Sequence, residues 1–437
     1  MAHLSPKHHP AGATKSHGAT PPKPLHCIDL FSGCGGLSLG LEQAGFTPLL
    51  FSEINGSAAE TYIANRADMS IVPVGDVYNL TDTDLKLLQT YWRYHDIPSI
   101  DLVCGGPPCQ GFSGIGHRRT FKLDKKEIPS NHLFEEMVRV IRVVQPKLFL
   151  FENVRGLLNA RWDASGTSGE IFTAVLKAFA ELKNYRIKWD LIHAKDYGVP
   201  QNRPRVLMVG IREDVVPSWV VDPHLEPSAC TPSAVSCKFL PQPVGGAPDL
   251  QDLLSDLEDP DYLDKSQTTT YLHEPKSPIQ RFLRTSRAGS ILQKGASLSE
   301  QEYATHADYV RAKFQHMIAN NGEIAPEHRT KKFAQRVFPR TWPTGGPNLT
   351  ATSLPDDFVH YSQPRIPTVR EWARIQTFPD WYCFTGPRTT GGRRRAGDPG
   401  LGLWDRDVPK FTQIGNAVPP LLAFAVGTHL AKLLKPL

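Results

Sequence analysis

The sequence lacks the features that mark membrane-spanning, disulfide-rich and zinc-stabilised folds. Nowhere do 18 or more apolar residues follow one another, so we expect no segment that spans a membrane. The 7 cysteines are an odd number and contain no CxxC pair, which argues against a disulfide framework and a structural zinc site. Residues 1–24 have no apolar core and match neither a signal peptide nor a folding segment, so we predict a disordered tail.

The chain also lacks a strong excess of charge of either sign. Its 437 residues include 49 Lys and Arg against 44 Asp and Glu, and the net charge of +5 is compatible with nucleic-acid binding but supports it only weakly. With 40% hydrophobic and 21% charged residues, the composition is typical of a soluble globular protein, and the length predicts two or three domains. We therefore expect a cytoplasmic protein.

The first predicted strand leads into a glycine-rich turn. The apolar run His26–Phe31 is followed by the sequence SGCGG at 32–36, and residues 37–44 have a helical pattern. Strand, glycine turn and helix open many nucleotide-binding α/β units, because glycines let a ligand approach the backbone beside a helix N-terminus. The sequence matches neither the GxGxxG pattern nor the phosphate-binding loop, and similar turns without a ligand are at least as common.

Two further predicted strands end in a carboxylate. Residues 48–53 end at Glu53, and residues 71–76 end at Asp76. A carboxylate at the end of the second strand commonly accepts hydrogen bonds from a ribose diol, although Glu53 could equally be a charge at a helix N-terminus. Because parallel strands present their carboxyl ends at one edge of the sheet, we expect the glycine turn and both acids to lie together there.

The fourth predicted strand, residues 100–104, runs into the sequence GGPPCQGFS at 105–113. Two prolines fix the backbone just before Cys109, and Gly111 permits an unusual conformation just after it. A thiol in this position lies where α/β folds place their chemistry, so Cys109 is a candidate nucleophile. Free cysteines are also among the most buried residues, and this stretch alone leaves a core role open.

Several motifs together resemble the DNA (cytosine-5) methyltransferase family. The resemblance begins with DLFSGCGG at 29–36 and PPCQGFS at 107–113, and it continues in the family's order with FENV at 151–154, QNRPR at 201–205, TVREWARIQTFPD at 368–380 and GNAVPP at 415–420. It implies an α/β fold with a doubly wound, mostly parallel S-adenosylmethionine-dependent methyltransferase sheet. It also implies a catalytic domain that is discontinuous in sequence, together with a smaller, variable target recognition domain.

The resemblance divides the chain into four parts. We predict a disordered tail at 1–24, the first part of the catalytic domain at 25–212, the target recognition domain at 213–364 and the returning part of the catalytic domain at 365–437. The third part contains none of the family motifs and differs from the others in composition.

Within the predicted recognition domain, an acidic stretch precedes a basic one. Residues 249–265 hold seven acids and one base, and four leucines form an apolar stripe, which predicts a helix with a solvated acidic face. Residues 281–340 hold eleven Lys and Arg against five acids, interleaved with aromatic residues. This second pattern suits contacts to a nucleic-acid backbone, although a solvated surface would have the same pattern.

The resemblance implies a covalent mechanism with base flipping. The target cytosine leaves the DNA stack at a cost of roughly a few kcal/mol, and we expect the glycine-rich, basic segment 110–126 to close over the DNA. A thiolate that adds to carbon 6 makes carbon 5 able to attack a methyl group, and Cys109 is the candidate thiolate. Glu152 is the acid that the resemblance places beside ring nitrogen 3.

The other catalytic residues that the resemblance implies surround the base. The carbonyl of Pro108 would accept a hydrogen bond from the exocyclic amine, and Asn153 would hold the turn that precedes the cysteine. Arg205 would donate to the carbonyl oxygen of the base, with Arg203 in support. Cations near the cysteine would also favour its thiolate form.

S-adenosyl-L-methionine is the cofactor that the resemblance implies, and no metal is expected. The predicted contacts are to the adenine or sulfonium (Phe31), the methionine part (Gly33 and Gly35), the ribose (Glu53), the adenine amine (Asp76) and the far side of the pocket (Asn416 and Val418). Ile54 stands where many family members carry an aromatic residue, so we expect aliphatic packing against the adenine.

The resulting prediction is a bacterial-type DNA (cytosine-5) methyltransferase that modifies a short duplex site. We expect a monomer that binds double-stranded DNA, either as an orphan or in a restriction-modification system with a separate endonuclease. Two alternatives stay open. A tRNA-modifying branch of the family tends to carry PPCQPFT where this chain has Gly111 and Ser113, and a non-catalytic DNA-binding relative would lose the cysteine or the Glu-Asn pair.

Overall fold

The computed structural model describes residues 24–108, 129–163, 165–220, 232–329, 335–341, 348–349, 355–389 and 407–435. Three predictions fall outside these residues: nearly all of the tail at 1–24, the candidate nucleophile Cys109 and the segment 110–126.

Seven strands form one central sheet. They are β1 (Leu25–Leu30), β2 (Phe46–Ser52), β3 (Val72–Val74), β4 (Leu102–Gly105), β5 (Leu148–Val154), β6 (Tyr185–His193) and β7 (Pro204–Arg212). Their order is β3–β2–β1–β4–β5–β7–β6, and only β7 runs antiparallel to its neighbours. The central strands are largely buried because both faces of the sheet are covered, and most of their residues are apolar.

Helices pack on both faces of this sheet. Those of the first 220 residues are α1 (Gly36–Gln43), α2 (Gly56–Ala64), α3 (Asp82–Tyr94), α4 (Leu133–Val144) and α5 (Glu170–Ala180). Those that follow are α6 (Leu250–Leu254), α7 (Pro278–Leu283), α8 (Asp308–Ala319), α9 (Val369–Ile375), α10 (Lys410–Asn416) and α11 (Pro420–Leu433). One hydrophobic core lies under α3, α4 and α5, and a second lies under α1 and α11. The predicted doubly wound, mostly parallel α/β fold is confirmed.

The end of the chain packs against its beginning at two glycines of α1. A Cβ atom added to Gly40 would lie 2.3 Å from the carbonyl oxygen of Pro420 and 2.4 Å from the Cβ of Ala423. One added to Gly36 would lie 2.4 Å from the carbonyl oxygen of Val418. The backbones of α1 and α11 therefore approach closely because α1 has no side chain at these positions, and this contact makes the catalytic domain discontinuous in sequence.

A third core joins residues that are distant in sequence. The leucines of α6, the aromatic residues of α9 and its flanks, and Cys34 of the glycine turn all belong to it. Its centre holds ion pairs: Arg374 contacts Asp256 at 2.5 Å and Asp380 at 2.6 Å, and Arg284 contacts Asp256 at 3.1 Å. Much of the interval 250–302 is thus bound to α9 rather than separate from it.

These contacts correct part of the sequence analysis. The acidic stretch forms α6 and short turns. Asp256 and Asp259 are buried, so the prediction that the acids of this stretch face the solvent was wrong for these two residues. In the basic stretch, Arg284 and Phe314 are buried in cores and cannot contact a nucleic acid. Asp256 is buried by a distant partner, Arg374, whereas Asp259 is buried by the nearby Lys265 and Thr268.

Residues 232–245 lie on the catalytic sheet rather than beyond it. The backbone N–H groups of Ser233 and Ala234 donate to the carbonyl oxygen of Trp189 in β6, and Tyr197 donates to the carbonyl oxygen of Pro241.

Within the described chain, Lys410–Leu433 alone has the helical length and hydropathy of a membrane span, and 67% of its most apolar window is buried inside the fold.

The close approach of α1 and α11 predicts a strong effect of Gly40→Ala. The added methyl group would overlap backbone atoms that cannot move aside, so we expect the free energy of unfolding to fall by about 1–3 kcal/mol. Urea denaturation followed by circular dichroism measures it. Gly56→Ala, where nothing lies within 4 Å, is the control and should change stability by less than about 1 kcal/mol. Equal effects of the two substitutions would contradict this packing.

Candidate active site

Glu152 and Arg205 form an ion pair at the carboxyl end of the parallel strands. Glu152 lies in β5 and Arg205 at the start of the antiparallel neighbour β7, so the two strands bring their side chains together. The Nε atom of Arg205 lies 2.6 Å from Oε1 of Glu152, and their side chains are only 7% and 12% exposed. Burial lowers the pKa of Arg205, and the Glu152 carboxylate opposes that shift.

The turn that precedes Cys109 is fixed against the same strand. The side-chain amide of Asn153 donates to the carbonyl oxygen of Pro107 at 3.0 Å, while Pro108 is exposed at the surface. A Cβ atom added to Gly106 would lie 2.6 Å from Oε2 of Glu152, so the absence of a side chain there leaves room for the carboxylate. Pro108, Glu152 and Arg205 therefore lie at one edge of the sheet, and Cys109 follows directly outside the described residues.

Arg203 lies apart from this ion pair. It is fully buried, and its guanidinium donates to backbone carbonyls of residues 349 and 415–417. Burial lowers the pKa of Arg203 well below its usual value, and the nearby Arg205 lowers it further. Arg203 therefore contacts the backbone of the returning segment and has no side-chain contact with Glu152 among the described atoms, and its supporting role stays a prediction.

The glycine turn and the end of β2 form one side of a ligand site. The backbone N–H of Gly33 donates to Oε2 of Glu53 at 2.9 Å, and the N–H of Asn55 donates to Oε1 at 2.7 Å. Burial raises the pKa of Glu53, and these two hydrogen bonds oppose the shift. Phe31 and Gly33 both have positive φ angles, 58° and 56°, so the chain reverses sharply around the Glu53 carboxylate.

The remaining predicted cofactor residues surround the same edge of the sheet. Asp76 caps a short 3₁₀-helix through the N–H of Tyr78 at 3.0 Å and is half-buried. Ile54 is 75% exposed, an unusual state for a large apolar side chain. From the far end of the chain, Asn416 is exposed and Val418 is half-buried, with its carbonyl oxygen against Gly36.

These residues fit S-adenosylmethionine. A Cβ atom built on Gly33 would meet nothing within 4 Å, so open space lies beside the turn. A carboxylate stands at the end of β2, where a ribose diol is bound in such folds, and the exposed Ile54 next to it offers an aliphatic surface to a flat base. The group would therefore be held by Glu53, Ile54, Asp76 and the glycine turn.

Two residues that no sequence motif predicted, Arg66 and Tyr382, bind the backbone carbonyl groups of the glycine turn. Arg66 in the turn after α2 donates to the carbonyl oxygen of Gly35 at 3.1 Å, and Tyr382 donates to the carbonyl oxygen of Cys34 at 2.5 Å. Although Cys34 belongs to the glycine turn, its side chain is buried in the third core, and its thiol donates to the carbonyl oxygen of Gln413. No local sequence signal marks Arg66, because its partners come from three separate segments.

A buried carboxyl group connects the cofactor turn to the strand before Cys109. Asp29 in β1 accepts a hydrogen bond from Ser38 of α1 at 2.6 Å, and the Cys104 thiol of β4 lies 3.7 Å from its other oxygen. Ser38 also contacts the hydroxyl of Tyr62 at 2.8 Å. Burial raises the pKa of Asp29 to about 7, against the opposing effect of the Ser38 hydrogen bond.

Comparisons with known proteins agree with this geometry. A model of the family described as C-5 cytosine-specific DNA methylase matches residues 25–432. The chain is 30% identical over 418 residues to the type II methyltransferase M.DdeI of Desulfomicrobium norvegicum, covering 93% of this chain and 88% of that protein. It is also 30% identical over 413 residues to the type II methyltransferase M1.HphI of Haemophilus parahaemolyticus, covering 94% and 87%.

A solved structure shares the fold. The crystal structure of a protein encoded in an Escherichia coli prophage superimposes with a TM-score of 0.62 at 23% identity, covering 94% of this chain and 99% of that one.

The raised pKa of Asp29 predicts how Asp29→Asn changes stability with pH. Between roughly pH 4 and 7 the folded protein keeps a proton that the unfolded chain releases, so wild-type stability falls as pH rises, by at most about 1.4 kcal/mol per pH unit. Asparagine does not ionise, so the stability of the variant relative to wild type should rise through this window and level off above pH 7. Urea denaturation at pH 5, 6, 7 and 8 tests it.

Asp264 is exposed, so Asp264→Asn is the matched control for that series. The free energy of unfolding of this variant should change with pH in parallel with that of the wild type. If Asp29→Asn also gave a parallel profile, the carboxyl would ionise freely in the folded protein and its proposed proton would be absent.

Proposed function

The chain belongs to the C-5 cytosine-specific DNA methylase family, and from that premise we propose which of its residues carry the reaction. The protein is a DNA (cytosine-5) methyltransferase that transfers a methyl group from S-adenosyl-L-methionine to carbon 5 of cytosine. The cofactor supplies an electrophilic methyl group on a positively charged sulfur. The observation that carries the assignment of residues is the buried Glu152–Arg205 pair beside the Pro107-Pro108 turn.

We assign Glu152 the role of the acid that protonates ring nitrogen 3 of the flipped cytosine. Its carboxyl group stands at the sheet edge with Arg205 on one side and the bare backbone of Gly106 on the other. Arg205 donates to the carbonyl oxygen of the base, where the planar, always charged guanidinium stabilises the negative charge that builds up as the ring is attacked. The Pro108 carbonyl accepts the hydrogen bond of the exocyclic amine.

Cys109 is the proposed nucleophile, and its thiolate adds to carbon 6 of the base. The new carbon–sulfur bond breaks the aromaticity of the ring and makes carbon 5 nucleophilic, which is the property that the electrophilic methyl group of S-adenosylmethionine would require. Once carbon 5 carried the methyl group, a water molecule would take its proton as the thiolate left carbon 6, and ring nitrogen 3 would return its proton to Glu152. The hydrogen bond from Asn153 to Pro107 supports this role because it holds the residue two positions before the thiol.

For the cofactor, we propose that Glu53 exchanges one of its backbone partners for the ribose hydroxyls. Phe31, Gly33 and Gly35 bind the methionine and sulfonium side, and Asp76 accepts the hydrogen bond of the adenine amine. Asn416 and Val418 close the pocket from the returning segment. The contacts of Glu53 with the Gly33 and Asn55 N–H groups support the assignment, because they already orient both carboxylate oxygens.

The remaining predictions become proposals about organisation and setting. We keep the recognition domain within 213–364, although the contacts of residues 233–245 with β6 and with Asp196 after it favour a start after them. We propose that the protein is a monomer that acts on double-stranded DNA in the cytoplasm and that a cognate endonuclease acts separately, since the curated relatives are type II methyltransferases.

The DNA methylase family match and the intact Glu152–Asn153 pair favour this function over the tRNA-modifying and non-catalytic alternatives.

Gly106→Ala tests the position of Glu152. The added methyl group would push the Glu152 carboxylate out of its buried ion pair with Arg205, so we expect the free energy of unfolding to fall by about 1–3 kcal/mol. The displaced carboxyl would no longer reach the base, and kcat should fall by about 100-fold. Methyl transfer from labelled S-adenosylmethionine to plasmid DNA measures it, with Gly56→Ala as the control. An unchanged kcat would exclude Glu152 as the acid.

A duplex with 5-fluorocytosine at the target position tests the nucleophile. Fluorine cannot leave carbon 5 as a proton does, so the enzyme and the DNA should stay joined through Cys109 when S-adenosylmethionine is present. Denaturing electrophoresis and peptide mass spectrometry detect the adduct. Cys109→Ser should give none, whereas Cys383→Ser, at an exposed thiol elsewhere, should behave as wild type. An adduct in Cys109→Ser would assign the reaction to another residue.

A further inference from the structure

Gln201 and Arg203 hold one residue of the predicted recognition domain by its backbone. The side-chain oxygen of Gln201 accepts a hydrogen bond from the N–H of Leu349 at 3.1 Å. Nη1 of Arg203 donates to the carbonyl oxygen of the same residue. Leu349 is fully buried, and both polar groups of its backbone are thus bound by side chains that lie about 150 positions earlier in the chain.

The same two side chains hold the returning segment. The amide of Gln201 donates to the carbonyl oxygen of Ile375 at 3.1 Å and contacts the side chain of Gln376. Nη2 of Arg203 donates to the carbonyl oxygens of Gly415 at 2.8 Å and Ala417 at 2.9 Å. Gln376 in turn donates to the carbonyl oxygen of Ala417, so residues 375–376 and 415–417 are bound to each other as well.

Gln201 and Arg203 lie close both to the cofactor turn and to the Glu152–Arg205 ion pair. The carbonyl oxygen of Val418 lies against Gly36, directly after the glycine turn that we assign to the cofactor. On the other side, Arg203 is two residues from Arg205, whose guanidinium contacts Glu152. Leu349, the cofactor turn and the catalytic ion pair are therefore joined through one buried pair of side chains.

We propose that Gln201 and Arg203 are positioning residues that couple the binding of the DNA target site to the binding of S-adenosylmethionine. The proposal rests on the function proposed above and goes beyond it, because neither residue touches the reacting atoms. If Leu349 shifts when the target site is bound, the carbonyls of 415–417 follow through the Arg203 guanidinium, and Val418 moves with them beside the cofactor turn.

The chemistry of the contact suits a coupling element. Among the described residues no carboxylate forms an ion pair with Arg203, and every hydrogen bond of its guanidinium goes to a backbone carbonyl oxygen. A buried charge with such partners is costly to leave partly unbound. Leu349 and residues 415–417 therefore keep their positions relative to one another, and a shift of one segment is transmitted to the other.

Coupling of this kind is reciprocal and can be measured as a ratio of two affinities. The experiment uses the full chain and a duplex that carries a target site mapped by bisulfite sequencing of host DNA. The dissociation constant of S-adenosylhomocysteine is measured by calorimetry with the duplex and without it. In the wild type we expect the duplex to tighten this binding by about tenfold, within the usual range for coupled sites.

Arg203→Lys keeps the charge but cannot donate to Leu349 and to residues 415–417 together, so the ratio should fall below about twofold. Methionine in Gln201→Met is similar in volume to glutamine but cannot form these hydrogen bonds, so this variant should also reduce the ratio. It is the second test if Arg203→Lys does not fold. Arg284→Lys is the control: this arginine is equally buried but contacts Asp256, His273 and Leu292. It should lose stability while it keeps the wild-type ratio.

Each outcome has one meaning. A ratio near one in the wild type, or the wild-type ratio in both Arg203→Lys and Gln201→Met, overturns the coupling role. A reduced ratio in Arg284→Lys would show that any loss of buried structure has the same effect, which also overturns it. If the wild-type enzyme methylates no cytosine in host DNA, the proposed function fails first and the coupling proposal fails with it.

Discussion

The contact between α1 and α11 is the constraint on which the rest of the structure depends. The glycine turn that we assign to the cofactor leads directly into α1, and α1 is covered by a helix that is almost four hundred residues away in sequence. Gly36 and Gly40 make this cover possible because any side chain there would overlap the backbone of residues 418–424. The cofactor pocket is therefore completed only when both ends of the chain have come together, which requires a long loop to be closed during folding.

The interval between the two halves of the catalytic domain is shaped by the same requirement. Arg374 of α9 binds Asp256 and Asp380 in the third core, where all three side chains are fully buried. Burial by itself would raise the pKa of Asp380, but the Arg374 ion pair holds it below the usual value. Removing one member of such a group leaves an unpaired buried charge, which typically costs about 3–5 kcal/mol. These ion pairs thus fix the position of residues 250–257 relative to the returning segment.

The sequence predicted the elements whose signals are local. Strands β1, β2 and β4 are apolar runs that end in a glycine or near an acid, and the structure has them within one or two residues of the predicted bounds. Helix α4 was missed although Phe134, Met137, Val138 and Ile141 follow the helical period, so that signal was present and unused. The burial of Asp256 had no local signal, because its partner Arg374 lies 118 positions away.

The same distinction applies to the candidate site. Short motifs predicted Glu152 and Arg205 as site residues, and the position of an acid at the end of the second predicted strand pointed to Glu53. The part played by Arg203 could not be read in this way. Its motif places it two residues from Arg205, as if the two shared a task, and residues two apart in a strand would share a face. Strand β7 begins only at Pro204, so Arg203 does not follow that alternation: Arg205 faces Glu152, and Arg203 faces the returning segment.

The ion pair of Glu152 and Arg205 shows why the site needs this buried support. Without a bound base, the two groups form an ion pair in a place that water hardly reaches. In the reaction that we propose, Glu152 turns towards ring nitrogen 3 and Arg205 towards the carbonyl oxygen of the cytosine, so the base replaces part of that ion pair. That exchange costs little only if both side chains start close to their final positions. Asn153, Gly106 and the strand pairing of β5 with β7 supply that order before the base arrives.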